Sequence, residues 1–310
     1  MRGRFAPSPT GRLHLGNARS ALLGWLNARA AGGEFLLRIE DLDAARCREG
    51  YVDDLFRDLS YLGLTWDGTP VRQSQRSEAY AQALASLERA GRVYPCFCTR
   101  AEIARAASAP HGPGDDGPRY PGTCAALAAD RARARPAALR FRAPAGVTFA
   151  FDDALKGPVA QDVAAEVGDF VVRRNDGVAS YQLAVVVDDA ASGITDVLRA
   201  DDLLASTPRQ LALYQALGLT PPRYAHVPLL LGEDGKRLAK REGASAVSEL
   251  RQAGVAAEKV VGLLARWSGL GDGRPVRADE LVESFRLEKV PREPVVVRET
   301  ELHEQFGPLP

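Results

Sequence analysis

Two clusters in this 310-residue chain have the residue types and spacing to handle a phosphate, and a third could hold a metal. The first is Arg4-Phe5-Ala6-Pro7-Ser8-Pro9-Thr10-Gly11-Arg12-Leu13-His14-Leu15-Gly16-Asn17. Pro7 and Pro9 fix the chain and cannot continue a central ladder, while Gly11 and Gly16 let the backbone approach a bulky ligand closely. Leu15, Ala18, Leu22, Leu26 and Ala30 then follow a helical period. An amphipathic helix therefore opens at His14–Gly16 and turns unpaired N–H groups toward whatever the turn holds. His and Gly two residues apart suit a nucleotide phosphate there; as pattern alone they equally describe a turn entering a core helix. The second cluster, Gly235-Lys236-Arg237-Leu238-Ala239-Lys240-Arg241, packs four cations around a glycine. It is not a Walker-type loop, because Leu230 stands where that loop needs Gly and Arg237 where Ser or Thr would hold magnesium. Alone it reads as a solvated basic loop. The third, Cys96-Phe97-Cys98 with Cys124, offers three thiolates; a closed tetrahedral site needs a fourth donor, from His111, Tyr120 or water. Cys47 reads as a packed thiol within a helix.

These residues need a frame. Glu34–Glu40 reads as a buried strand, Arg46–Leu62 and Ser77–Ala90 as helices, and this alternation predicts a parallel sheet with crossovers. A ligand then belongs at the carboxyl ends of the strands. Composition shifts between Tyr94 and Pro144, a stretch holding three of the four cysteines and a Pro/Gly loop, which reads as an insertion. Strand patterns resume at Ala138–Arg142, Phe170–Arg173, Tyr181–Asp188 and Ile194–Arg199. Helical patterns follow at Asp201–Leu217, Ala256–Trp267 and Ala278–Phe285.

Lys and Arg together number 40, as do Asp and Glu, so the net charge of zero argues against a strong non-specific polyanion binder. It does not exclude a local basic face. No apolar run has the form of a signal peptide or approaches the ~20 residues of a membrane span, so the expected location is cytoplasmic, with no membrane partner. In that compartment the cysteines are expected as metal ligands or reactive thiols before disulfides.

His14-Leu15-Gly16-Asn17 resembles the HIGH signature of class I aminoacyl-tRNA synthetases, and the preceding Arg-Phe-Ala-Pro-Ser-Pro-Thr-Gly resembles the glutamyl branch of that class. Arg237-Leu238-Ala239-Lys240-Arg241 resembles the KMSKS loop, with Arg for the first Lys, Ala for the Ser and the second Lys kept as Lys240. Arg199-Ala200-Asp201-Asp202 resembles the family's Arg-Gly-Asp-Asp, with Thr207-Pro208-Arg209-Gln210 at the family's spacing. From Lys240 to the end there are 70 residues, room for a first helical subdomain and not for anticodon-binding domains. The whole chain is thus similar to the glutamyl-Q tRNA(Asp) synthetase family.

The resemblance implies an α/β chain: a class I synthetase-type Rossmann fold with a zinc-binding insertion and a small C-terminal helical subdomain. The expected parts are residues 1–93 and 145–244 for the two Rossmann halves, 94–144 for the insertion and 245–310 for the helical subdomain. It implies ATP-dependent, tRNA-independent activation of L-glutamate, with Mg2+ accompanying ATP, then transfer to queuosine in the anticodon loop of tRNA(Asp). His14, Gly16 and Lys240 would serve ATP, with His14 and Lys240 in the catalytic role. A glutamate site needs cations for two carboxylates and an anion for the ammonium. Arg4, Arg199 and Glu40, each at a strand, meet that need, and the resemblance selects the same positions and adds Phe5, Ala6, Pro7, Ser8 and Tyr181. It also names Tyr120 as fourth ligand beside Cys96, Cys98 and Cys124, around one structural Zn2+. A monomer is expected. The rival readings are a truncated enzyme charging a tRNA 3′ end and a silent paralogue that binds tRNA.

Overall fold

The computed structural model describes residues 1–99, 101–103, 119–126, 136–238 and 246–307. Strand β1 (Arg2–Phe5) leads through the proline loop into helix α1 (Leu15–Ala30), and β2 (Glu34–Ile39) returns parallel to β1 with Arg4 opposite Leu36. β3 (Val71–Arg72) extends this sheet in parallel on the far side of β2. A second sheet runs in the order β7 (Gly157–Asp162), β6 (Thr148–Asp153), β10 (Arg223–Val227), β9 (Asp196–Ala200). There β10 pairs in parallel with both β6 and β9. The amide of Thr195 donates to the Arg2 carbonyl at 2.9 Å, which sets the edge of β1 beside the start of β9. Consequently Phe5, Glu40 and Arg199, all at the carboxyl ends of their strands, open onto one side of the molecule.

A third, antiparallel sheet joins β4 (Val93–Cys96), β5 (Ala138–Phe141) and β8 (Phe170–Arg173). The helices are α2 (Glu49–Tyr61), α3 (Ser77–Arg89), α4 (Val163–Glu166), α5 (Tyr181–Ala191), α6 (Thr207–Leu217), α7 (Val247–Gln252), α8 (Ala257–Trp267) and α9 (Glu299–Phe306). Short strands β11 (Leu230–Leu231) and β12 (Val295–Val296) pair in parallel. Among the described residues no helix is long and apolar enough to cross a membrane.

Six sequence expectations need correcting. Tyr181–Asp188 is not a strand but the first two turns of α5, capped by the Ser180 hydroxyl, which accepts from the Leu183 amide. Leu183, Ala184, Val185 and Val186 are all buried, and a short apolar run buried on every side reads alike for strand and helix. Helix α1 is not amphipathic: Leu15, Ala18, Arg19, Leu22, Leu23, Trp25 and Leu26 are all buried, so it is a central helix. Helix α2 begins at Glu49 rather than Arg46, because the Asp43 carbonyl accepts from the amides of Arg46 and Cys47 and holds a turn there. Cys47 therefore lies before the helix and is only partly buried. The Ala278–Phe285 pattern yields a single 3-10 turn, Asp279–Leu281, and Asp201–Ser206 is likewise 3-10, with the α-helix beginning at Thr207 beside Pro208. Proline has no N–H to give and is accommodated in a first helical turn.

Candidate active site

The loop between β1 and α1 forms the floor of a cleft of about 540 Å³. Arg4, Phe5, Ala6, Pro7, Ser8, His14, Glu40, Tyr181 and Arg199 all line it, from segments far apart in sequence. Gly16 lines a small cavity that adjoins it beside His14. At the start of α1 the His14 Nδ1 accepts from the Asn17 amide at 3.2 Å, so the side chain caps the helix and carries its proton on Nε2. Gly16 suits this arrangement, since a Cβ there would stand 3.2 Å from the His14 ring and the ring would have to shift. Of the basic loop, Arg237 lines the same cleft and is ion-paired with Asp202 at 2.5 Å; both are cleft residues. Ala239, Lys240 and Arg241 lie outside the described residues, as does His111.

The cations differ in how they are held. Arg4 is buried and reaches Asp189 through Nε at 3.2 Å and Nη2 at 3.4 Å. Arg38 bonds the same Asp189 and also Glu40, the latter at 3.0 Å. Burial opposes the charge of Asp189, but the guanidiniums of Arg38 and Arg4 outweigh it and hold that carboxyl below its usual range. Glu40 goes the other way: burial pushes it up, against the opposing pull of Arg38 and Arg4. Arg199 instead contacts His226, Tyr181, Thr207, Gln210 and the Leu203 carbonyl.

Sequence reasoning missed Arg38, Asp189 and His226, and it singled out the Thr207–Gln210 motif without giving Thr207 or Gln210 a role at Arg199. Arg38 and Glu40 are two apart at the end of β2, a same-face spacing that was available in the sequence. Asp189 was hidden by reading α5 as a strand. His226 sits in Tyr224-Ala225-His226-Val227, which carries no motif.

The thiols of Cys96, Cys98 and Cys124 lie within 4.8 Å of one another. The Tyr120 hydroxyl is 3.4 Å from the Cys96 sulfur and 3.9 Å from that of Cys98, and accepts from the Cys124 amide at 2.8 Å. Four donors thus converge at a spacing compatible with metal–sulfur bonds of about 2.3 Å. Burial pushes the Cys98 thiol up to about 11 and raises the Tyr120 phenol as well, whereas at Cys124 burial is outweighed by hydrogen bonds from the Phe97 backbone, Tyr120 and the neighbouring thiols, which lower the thiol. A bound metal reverses both upward shifts. Arg140 closes the back of the cluster, with Cζ 3.7 Å from the centre of the Tyr120 ring and Nε 3.2 Å from the Cys96 sulfur.

Comparison with known proteins matches residues 1–304 to the family model described as tRNA synthetases class I (E and Q), catalytic domain. A glutamyl-Q tRNA(Asp) synthetase from Symbiobacterium thermophilum is 54% identical over 307 residues, covering 94% of each chain. A glutamate–tRNA ligase from Nitratidesulfovibrio vulgaris is 46% identical over 93% of this chain, but this chain spans only 61% of that protein. The crystal structure of the glutamate–tRNA synthetase from Elizabethkingia anophelis superposes with a TM-score of 0.81 at 26% identity, over 98% of this chain and 69% of that one.

Proposed function

This chain belongs to the glutamyl-Q tRNA(Asp) synthetase family, within the class I tRNA synthetases of the E and Q branch, and on that premise we propose how its cleft works. The enzyme activates glutamate with ATP, without tRNA, and then transfers it to queuosine at the wobble position of tRNA(Asp). In the first step the glutamate α-carboxylate attacks the α-phosphate in line, giving glutamyl-adenylate and pyrophosphate. Arg4, Glu40, Tyr181 and Arg199, with the Phe5–Ser8 backbone, hold the amino acid. In this reading Arg4 and Arg199 serve the two carboxylates and Glu40 the ammonium, which supports glutamate as the ligand. His14 and the Gly16 turn hold ATP, whose Mg2+ supplies charge neutralisation at the phosphates. Lys240 meets the phosphates as pyrophosphate leaves, an interaction made mainly in the transition state.

Cys96, Cys98, Cys124 and Tyr120 hold one structural zinc that braces the insertion over residues 94–144. With four protein donors the site has no open position for chemistry. The Rossmann halves are assigned to residues 1–93 and 145–244, and 245–310 to a C-terminal helical subdomain; the enzyme acts as a cytoplasmic monomer on the anticodon loop.

The single observation that carries this reading is the common cleft: the residues proposed for glutamate and His14 for the nucleotide all line it. The test is ATP–pyrophosphate exchange. L-glutamate alone should support exchange without tRNA, and Lys240→Ala should lower it ~100–1,000-fold while keeping the fold. No exchange by the folded wild type, or near-normal exchange by Lys240→Ala, would overturn the corresponding assignment.

A further inference from the structure

Arg199 differs in the company it keeps from buried Arg4, which also lines the cleft, and from buried Arg38, which does not. Arg4 and Arg38 each face Asp189, and Arg38 also faces Glu40. All five hydrogen-bond partners of Arg199 are neutral groups. Its Nε donates to His226 Nε2 at 3.0 Å, and its Nη2 to Thr207 Oγ1 at 2.8 Å, Gln210 Oε1 at 3.0 Å and the Leu203 carbonyl at 3.3 Å. Its Nη1 has a long contact of 3.4 Å with the Tyr181 hydroxyl. The guanidinium is therefore fixed along one edge, and Nη1 is the nitrogen with capacity left for a ligand in the cleft.

A carboxylate does stand behind this arrangement, one ring away. His226 is fully buried, and its Nδ1 is 2.6 Å from Asp153 Oδ2. Asp153 is in turn locked by the amides of Leu155, Lys156 and His226. Arg199 can only donate, so His226 Nε2 must accept, and the imidazole must be the neutral tautomer with its proton on Nδ1 toward Asp153. A protonated ring would set N–H against N–H. Burial likewise drives the His226 pKa down. The ring thus passes on the rigidity of Asp153 without passing on its charge.

We propose that His226 is a specificity-setting positioning residue: a neutral spacer that fixes Arg199 while leaving its positive charge for the carboxylate of the ligand. A carboxylate placed directly on Arg199, as Asp189 is on Arg4, would cancel that charge. The cleft would then lose its preference for a doubly anionic amino acid over its neutral amide. The inference rests on the glutamate-activation reading above and adds the source of discrimination.

The test is ATP–pyrophosphate exchange with glutamate and glutamine, using wild type, His226→Ala, His226→Gln and His226→Glu, each checked for folding by thermal melting. Removing the acceptor in His226→Ala should raise KM for glutamate about tenfold, with KM for ATP little changed. His226→Gln offers a neutral acceptor and should recover most of that loss. His226→Glu should lower the glutamate-to-glutamine ratio of kcat/KM by about 100-fold. If wild type does not use glutamate at all, the activation reading and this inference both fall. If wild type does, and His226→Glu keeps its preference, only the inference falls. Should His226→Glu not fold, the other pair decides: equal KM for glutamate in His226→Ala and His226→Gln overturns the proposal.

Discussion

At the scale of the residue, three buried arginines in and behind the cleft differ in the charge of what they touch. Arg4 and Arg38 share Asp189, and of the two only Arg4 lines the cleft. Arg199 is surrounded by neutral acceptors and is the one proposed to meet an incoming carboxylate. Lysine cannot reproduce that fork, because it is a single ammonium on a flexible stem. Arg199→Lys should therefore lower kcat/KM for glutamate by about 100-fold or more, measured by pyrophosphate exchange, and activity within a fewfold of wild type would count against the assignment. The positions of Arg4, Glu40 and Arg199 at strand ends could be read in the sequence, because a strand end in an α/β fold is where ligands bind. Of their partners, Arg38 beside Glu40 and the Thr207–Gln210 motif were visible, but His226 and Asp189 were not. A lone His in a β-strand and an Asp at the end of an apolar run carry no periodic signal, and only the packing of α5, α6 and β10 brings them to the arginines.

The elements tell a similar story with one more consequence. Regular patterns such as Glu34–Ile39, Ser77–Arg89 and Ala257–Trp267 were legible because each has a distinct buried face or clear stops. Helix α5 was not, since it packs against α3, α6 and β8 and shows no polar face to break the apolar run. Between α2 and α7, Asp58 is fully buried and accepts from Arg251 Nε at 3.1 Å, while its Oδ2 has no partner among the described residues. Burial pushes its carboxyl up to about 6, against the opposing pull of Arg251. Its unfolded value is about 3.9, so the folded state binds the extra proton between the two values. Stability should fall as pH rises from about 4 to about 6, by at most about 2–3 kcal/mol, and level off above. Asp58→Asn should lack this slope in urea denaturation, and an identical slope in both proteins would contradict the account. The cysteine cluster between β4 and β5 makes its own prediction. Elemental analysis should find one zinc per chain, lost on Cys124→Ser with a lower melting temperature. Arg140→Ala, which strips the cation from behind Cys96 and Tyr120, should weaken zinc retention against a chelator about tenfold. No zinc in the wild type would remove the metal from the description, and full retention in both variants would overturn the ligand assignment.

Over the whole molecule, the cleft exists because the first and last parts of the chain are built into each other. The Val247 amide donates to the Leu13 carbonyl at 2.8 Å, and Arg12 pairs with Glu249. Buried Arg19, on α1, bonds Ser268 at the end of α8 and the Pro228 carbonyl at 2.6 Å. One apolar core runs from α1 through α8 to Leu302. The sequence motifs near residues 4–17 and 237 therefore meet at the same opening, although more than 200 positions separate them. The chain matches 94% of a glutamyl-Q relative and 61% of a glutamate–tRNA ligase. The most direct measurement incubates the enzyme with labelled glutamate, ATP and queuosine-containing total tRNA, then maps the labelled nucleotide. The account predicts label on the queuosine of tRNA(Asp), in the anticodon fragment; label on a 3′-terminal adenosine, or none transferred, would contradict it.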